Sequence, residues 1–315
     1  MKTSIKLIMT ATLCIAAAGH TIKADCSCTP RVSREIAIAE QTNRAFVIAK
    51  ENGTILWEWR VATSSIPTDK QIWFHNPSEV KPVYNSKYLL VTASGGAVAL
   101  IRIADKKVMF YAYAGANPHS AELLPDGNIV AASSTDQQIS IFRTDTLAGT
   151  GKAVETYPVS AAHNVVWDRM KNLLYTTAGN YLISYEYNFD KENPALVNRN
   201  EVYRLYGEGT EGSHDLFPVY GEYALYWTTN GKIFKYDIVS DKCSIAYDIK
   251  EIKSISSGPD GIPTLILQPT ESWWSDHLID PEGNILFQKQ NYKIYKARWI
   301  IDNTFSYPPI HLINE

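Results

Sequence analysis

The chain has 315 residues and a formal net charge of −3 at pH 7, and 45% of its residues are hydrophobic. A chain of this length can form two average domains or one large all-β domain, and composition alone does not decide between them. The small negative charge argues against a general binder of nucleic acid or anionic membranes, since such proteins carry a basic surplus. Any positive charge that matters for function must therefore be local.

The N-terminus is typical of a secretion signal. Basic residues come first, and an apolar run over residues 7–18 follows that is too short to span a membrane. Residues 1–24 are predicted to be a signal peptide, cleaved after Ala24 or, alternatively, after Gly19, and residues 25–33 an N-terminal tail. We expect a secreted or periplasmic protein with no transmembrane segment.

Three cysteines, Cys26, Cys28 and Cys243, remain once the signal is removed. Lipoprotein anchoring at Cys26 is the weaker alternative to soluble export, because Asp25 stands where a lipobox needs a small residue. Export places the chain in a compartment that permits disulfides. Cys26 and Cys28 are too close for an easy mutual bridge. Either of them could tie the N-terminus to Cys243, or they could remain two lone thiols on a frayed tail.

Residues 34–315 consist of short apolar runs bounded by turn residues, and no segment shows a long period of 3.6 residues. We therefore predict a single all-β domain with very little helix. The predicted strands are 34–40, 44–49 and 54–61; a strand at His75, then 88–93, 97–103 and 107–113; a strand at His119, then 128–133, 138–143 and 153–159; a strand at His163, then 173–177, 181–187 and 201–206; a strand at His214, then 223–228, 232–238 and 243–249; 253–257, 264–268, 277–280 and 284–288; and finally 295–301.

Four histidines mark a repeat. His75, His119, His163 and His214 stand 44, 44 and 51 positions apart, and each precedes an apolar segment and a turn. Repeats of about 40 to 50 residues with four strands each indicate a β-propeller. Pairing the C-terminal strand with the three N-terminal strands closes the ring and removes an exposed edge. We predict a six-bladed β-propeller, with seven blades as the alternative if the connection 188–200 holds further structure.

The innermost strand of each blade lines the channel of a propeller, so equivalent positions face the same level of it. Aligning the turns adds one lysine and one arginine to the four histidines. The predicted ring contains Arg298, His75, His119, His163, His214 and Lys253. Such a ring would focus positive potential on an anionic group, with Arg298 and Lys253 as substrate-binding residues.

The imidazoles allow two kinds of chemistry. Neutral rings of His75, His119, His163 and His214 could hold a divalent metal such as Mn, Ca or Zn. Repulsion between imidazolium ions lowers their pKa, which makes His119 and His163 candidate catalytic bases near neutral pH. The structural alternative is that the histidines only cap strands and bond to the next blade.

Aromatic side chains are the second feature of the predicted channel mouth. For a single aromatic residue, packing in the core is the usual role. The pair Trp273 and Trp274 lies in a polar segment, and we predict that it is exposed and binds substrate.

The segment Leu56-Trp57-Glu58-Trp59-Arg60 and the pattern from His119 to Asn128 resemble blade motifs of secreted six-bladed propellers of the arylsulfate sulfotransferase type. That resemblance implies that channel histidines and an arginine act on a sulfate ester. The histidine ring is also similar in character to that of propellers of the oligogalacturonate lyase type, which implies a metal ion held near a uronate. The resemblance implies that some of the ring residues have these functional roles, from among His75, His119, His163, His214 and Arg298.

These observations favour a protein that acts on an anionic small molecule or an acidic glycan. The leading hypothesis is lyase-type β-elimination on an acidic saccharide, and the alternative is a non-catalytic module that binds a glycan or a protein. A sulfotransferase or hydrolase is a further alternative, and whether the protein is an enzyme stays open. We expect a monomer that does not bind nucleic acid.

Overall fold

The computed structural model describes residues 34–144 and 152–308, so the predicted signal peptide and tail lie outside the described residues. Within this part of the chain, 24 strands form six antiparallel sheets of four strands each. The helical elements found there are two short 3-10 helices, Val61–Thr63 and Thr68–Phe74. None of the described helices is long and apolar enough to cross a membrane. The prediction of a six-bladed, all-β propeller is confirmed.

Each blade is an antiparallel meander whose first strand contacts the first strands of the neighbouring blades around the channel. The first three blades are β24 (Ile294–Trp299), β1 (Glu35–Glu40), β2 (Ala45–Lys50) and β3 (Ile55–Arg60); β4 (Pro77–Val83), β5 (Tyr88–Ala93), β6 (Ala97–Arg102) and β7 (Val108–Tyr113); and β8 (Pro118–Leu123), β9 (Ile129–Ser133), β10 (Gln138–Phe142) and β11 (Glu155–Pro158). The last three blades are β12 (Val165–Asp168), β13 (Leu173–Ala178), β14 (Tyr181–Tyr187) and β15 (Leu196–Arg204); β16 (Asp215–Pro218), β17 (Ala224–Thr228), β18 (Ile233–Asp237) and β19 (Lys242–Tyr247); and β20 (Ser254–Ser256), β21 (Leu265–Leu267), β22 (His277–Ile279) and β23 (Ile285–Gln288).

The hydrophobic core is divided among the interfaces between blades. Between blades 1 and 2, for example, Phe46 and Trp59 pack in one cluster with Leu89 and Val91. Because both faces of a blade are covered by its neighbours, the middle strands are apolar on both sides, and β1 and β5 show continuous burial. Each large apolar side chain buried in this way stabilises the fold by about 1.5–3 kcal/mol.

The ring is closed by the two ends of the described chain. Strand β24 pairs antiparallel with β1, and Ala37 stands opposite Arg298. The predicted closure of the N-terminal blade by the C-terminal strand is therefore confirmed. The long connection in blade 4 holds no seventh blade; instead β15 begins at Leu196, earlier than the predicted start at residue 201.

All first strands begin at the same end of the channel, and the turns between second and third strands reach that end too, because neighbouring strands run in opposite directions. We call this end the mouth face. It carries the side chains that the histidine repeat singled out. The mouth of the channel is therefore where the candidate site is built.

Candidate functional site

A cavity of about 400 Å³ opens on the mouth face at the channel axis. It collects one or two side chains from each blade. Its lining residues are Gln41, Asn76, Ser94, Asn117, His119, His163, His214, Lys253, Trp273 and Tyr295. Lys253 is the only one of these residues, all within the described part of the chain, with a formal charge at neutral pH when imidazoles are neutral.

Three of the four predicted histidines meet in this cavity. His119 is the second residue of β8, whereas His163 and His214 lie just before β12 and β16. The rings of His119 and His163 stack in parallel with centroids 4.8 Å apart, and His163 meets His214 edge to face at 5.9 Å. Tyr295 packs on the other side of His119, with ring centroids 5.3 Å apart.

The hydrogen bond of His163 determines which of its two ring nitrogens can act as a base. Its Nδ1 lies 2.8 Å from the carbonyl oxygen of Ala161. A carbonyl oxygen only accepts, so Nδ1 carries the proton and Nε2 keeps its lone pair. The ring nitrogen of His163 that is free to accept a proton is therefore Nε2.

His214 and Lys253 form a hydrogen-bonded pair. The Nε2 atom of His214 lies 2.8 Å from Lys253 Nζ and 2.6 Å from Asn230 Oδ1. One ring nitrogen cannot serve both partners, because an unprotonated Nε2 accepts a hydrogen bond from the ammonium group and a protonated one donates a hydrogen bond to the amide oxygen. The protonation state of His214 is thus coupled to the orientation of Lys253, whose Nζ also lies 3.2 Å from Glu251 Oε2.

The pKa values of all three histidines lie below their usual range. Burial is the main cause, and it lowers the pKa of His163 to about 4 and that of His214 to about 3, with Lys253 and Lys296 acting in the same direction. Burial and the neighbouring His163 hold the pKa of His119 well below 6.5. At neutral pH the cavity therefore contains three neutral imidazoles.

The remaining polar groups point to a ligand with both charge and hydrogen-bonding atoms. Burial lowers the pKa of Lys253, against the opposing effect of Glu251. His119 is only 6% exposed, and its buried Nδ1 atom has no hydrogen-bond partner among the described residues. Since buried polar atoms are nearly always paired, this atom is a candidate for contact with a bound molecule.

Two members of the predicted ring do not line the cavity, and His75 is the first. It caps the helix Thr68–Phe74, lies exposed, and donates its backbone N–H to Ile72. The next residue, Asn76, has a positive φ of 53° and lines the cavity. Asn76-Pro77 matches Asn117-Pro118 at the starts of β4 and β8, so the residue equivalent to His119 is Ser78. The spacing of the histidines therefore placed His75 three positions away from the true match.

Arg298 is the second predicted ring member that does not line the cavity. It is the fifth residue of β24, whereas Tyr295 is the second and so matches His119 on β8. The alignment of the last strand was therefore displaced by three residues. Arg298 lies fully buried, deeper in the channel than the cavity, so its guanidinium does not line the cavity as the predicted ring required.

Arg298 belongs instead to a buried charge cluster with Lys296, Glu79 and Asp215, and all four side chains are 0% exposed. The guanidinium donates to Glu79 at 2.8 and 3.1 Å and to Asp215 at 2.6 and 2.8 Å. Burial alone would raise the pKa of both carboxyl groups, but Arg298 and Lys296 outweigh it and hold both pKa values low. The channel is thus filled below the cavity.

Only one residue of the predicted aromatic pair lines the cavity. Trp273 lines the cavity, is 49% exposed, and donates its indole N–H to Gln41 Oε1 at 3.0 Å. Trp274 is half-buried outside the cavity, with Lys293 Nζ 4.6 Å from its ring centroid. Trp273 therefore keeps its predicted place at the site, whereas Trp274 belongs to the rim.

Sequence reasoning missed the two asparagines of the cavity. Asn76 and Asn117 each precede a proline that begins a first strand, and each has a positive φ. Asn tolerates this conformation better than most residues, and Asn-Pro pairs mark turns. The repeated Asn-Pro pair was the signal that could have found them.

Within residues 34–144 and 152–308, no group of three or more His, Cys, Asp or Glu side chains is arranged to hold a metal ion. The displacement of His75 from the cavity accounts for part of this difference from the predicted four-histidine set. Cys243 is half-buried and has no disulfide partner among the described residues, and Cys26 and Cys28 lie outside them.

Fold and cavity together define a six-bladed β-propeller with a histidine-lined, lysine-containing pocket at one channel mouth. The sequence matches the model of a family of unknown function, DUF6528, over residues 2–314, and the chain belongs to that family. Comparison with curated proteins finds no match.

Many solved structures are similar to this chain, among them the following two. A protein of unknown function from Bacteroides caccae is 14% identical with a TM-score of 0.52, and the match covers 86% of this chain and 100% of that one. A chain of a nidogen/laminin complex is 10% identical with a TM-score of 0.57, covering 85% and 98% of the two chains. At these identities the likeness shows the fold alone.

Proposed function

We propose that the cavity binds the acidic group of a saccharide, with Lys253 as the group that contacts the ligand's carboxylate or sulfate. The observation that carries this proposal is the charge of the lining: one ammonium group and no carboxylate among the lining residues. A cation that is only 8% exposed is weakly solvated, so its attraction for an anion is stronger than that of a surface lysine.

The other lining groups complement a sugar. The amides of Asn76 and Asn117 and the hydroxyl of Tyr295 provide donors and acceptors for sugar hydroxyl groups. Trp273 offers an exposed ring for the apolar face of a pyranose. A few polar groups in a cavity with an aromatic wall are typical of a small-molecule site.

A second candidate function is β-elimination on a uronate, and the hydrogen bond of His163 favours it. With its carboxylate held by Lys253, a uronate has a more acidic proton at C5. His163 Nε2 would take that proton, the C4–O bond would break with its electron pair leaving on oxygen, and a C4–C5 double bond would form. The leaving oxygen takes up a proton from solvent or a cavity group, so the step needs no oxidant or reductant.

The test is a Lys253→Met variant titrated with galacturonate by calorimetry. Loss of a charge-assisted hydrogen bond is expected to weaken binding about 10- to 100-fold. Lys250→Met is the matched control, since Lys250 is exposed in the same connection and does not line the cavity. Equal affinity of wild type and Lys253→Met would overturn the role of Lys253.

The same samples distinguish binding from catalysis. Incubation with polygalacturonate and alginate, followed by absorbance of the unsaturated uronate product, is expected to show a signal in wild type and a strongly reduced one in His163→Gln. Binding without any such signal would leave the cavity as a non-catalytic glycan site.

A further inference from the structure

We propose that the mouth face binds an extended acidic polysaccharide, whose chain runs from the cavity over cation–aromatic clusters on the rim. This inference rests on the proposed function of the cavity and adds the length and class of the ligand. The rim clusters are the blade 2 cluster (Lys70, Trp73 and Tyr113), the blade 4 cluster (Tyr181, Arg204 and Tyr206) and the blade 6 cluster (Trp273, Trp274 and Lys293).

The blade 2 cluster is an aromatic platform with a lysine on it. Lys70 Nζ lies 4.9 Å from the ring centroid of Trp73, whose ring lies 5.4 Å from that of Tyr113. Tyr113 is 45% exposed and its ring lies directly over Gly96, where φ is +118° and a Cβ would overlap the ring. The platform therefore depends on a glycine at that turn.

Backbone hydrogen bonds join this platform to the cavity. Gly95 N–H donates to His75 O at 2.9 Å, and Ser94 N–H donates to Asn76 O at 2.8 Å. Asn76 and Ser94 line the cavity. Exposed His75 thus lies in sequence between the platform and the cavity, where its imidazole can contact a ligand that crosses the rim.

The blade 4 cluster lies beside the connection that carries His214. The guanidinium of Arg204 lies 4.8 Å from the ring of Tyr181 and 5.1 Å from that of Tyr206, which is 77% exposed. The turn before Tyr181 is bonded to the connection that carries His214, because Ser213 Oγ donates to Gly179 O at 2.5 Å. This cluster, too, adjoins the cavity wall.

The position of these pairs on the molecule is the strongest argument. Among the described residues, surface cation–aromatic contacts lie on the mouth face with one exception, Lys106 near Trp57, which follows β6 at the opposite end. An acidic sugar has an apolar face for stacking and an anionic group for a cation. Repeating this pair around the cavity matches a polymer of such sugars.

The charge distribution argues against nucleic acid as the polymer. Asp136, Glu208 and Glu211 lie in turns of the same face, and the chain carries a net charge of −3. Nucleic-acid binding through phosphates is favoured by a basic surplus over the whole binding face, and these carboxylates oppose it. Local cations beside aromatic rings fit a sugar better, because its rings offer apolar faces for stacking.

The experiment compares ligand length. Binding of galacturonate and of its trimer and hexamer is measured by calorimetry for wild type, Trp73→Ala, Tyr206→Ala and the control Lys106→Met. We expect the hexamer to bind at least 10-fold more tightly than the monomer, through added contacts. Each rim variant is expected to lose roughly three- to tenfold in hexamer affinity while keeping monomer affinity, and Lys106→Met is expected to match wild type.

Further binding measurements distinguish a carboxylate from a sulfate ligand, and the rim proposal from the cavity proposal. A sulfated hexasaccharide that binds through the same rim residues identifies sulfate esters as the acidic group and supports the inference. A hexamer no tighter than the monomer, rim variants with unchanged hexamer affinity, or an oligonucleotide preferred to every saccharide overturns the inference and leaves the cavity proposal standing. Hexamer binding that depends on the rim but not on Lys253 supports the rim and overturns the cavity proposal. No binding of any acidic saccharide overturns both.

Discussion

Replacing Arg298 by Met is expected to lower the free energy of unfolding by about 3–5 kcal/mol. The guanidinium supplies hydrogen bonds to both Glu79 and Asp215 and a fifth to the carbonyl oxygen of Ile255 at 2.8 Å. Without it, Lys296 is the only side-chain cation among the described residues in contact with these two fully buried carboxylates, at 2.9 Å from Asp215 and 3.5 Å from Glu79. The measurement is urea unfolding at pH 7.

The expected loss comes from unpaired charge, which a second variant tests. Arg298→Met combined with Glu79→Gln restores the charge balance and is expected to be less destabilised than the sum of the two single changes. Lys235→Met, which removes an exposed pair with Glu222, is expected to cost less than about 1 kcal/mol. If Arg298→Met costs no more than Lys235→Met, the cluster does not stabilise the channel as described.

The fold could be predicted because its signals are local. Turn residues and short apolar runs gave strand bounds that agree closely with the structure, as for residues 88–93 and Tyr88–Ala93. The histidine spacing gave the repeat, and the unpaired ends gave the closure between β24 and β1. Each inference needed only the chain's own periodicity.

The details of the site could not be predicted in the same way, because they depend on register and on single backbone conformations. The alignment was displaced by three residues at both His75 and Arg298, so Asn76, with its left-handed backbone, lines the cavity and Arg298 lies below it. The partners of Arg298 are Glu79 and Asp215, which come from blades distant in sequence. A repeat shows that a position faces the channel, but it does not show which charges meet there.

Acidification from pH 6.5 to 4 is expected to destabilise the protein through the three cavity histidines. An unfolded histidine takes up a proton near pH 6.5, whereas burial lowers the pKa of His163 to about 4 and that of His214 to about 3. The unfolded state therefore binds more protons in this interval, and stability falls as pH falls. Each histidine contributes a slope of at most about 1.4 kcal/mol per pH unit.

The surroundings of the histidines explain why stability falls, and does not rise, as the pH falls. Burial disfavours a charged imidazole most strongly, and the cations Lys253 and Lys296 act in the same direction. Because His163 and His214 are partly exposed, solvent screening is expected to reduce the combined slope to about 2 kcal/mol per pH unit. Glu79 and Asp215, whose pKa values are held low in the folded state, add to the loss only below about pH 5, since their pKa values in the unfolded chain are near 4.3 and 3.9.

Urea unfolding at half-unit steps from pH 4 to 7, at constant ionic strength, measures this slope. His163→Gln is expected to reduce the slope of unfolding free energy against pH by the contribution of one histidine. A variant with Gln at His119, His163 and His214 together is expected to show almost no slope above pH 4.5. His75→Gln is the control, because that residue is exposed and lies outside the cavity. A triple variant that keeps the wild-type slope would show that the cavity histidines are not held neutral, and the argument for His163 as a base would fail with it.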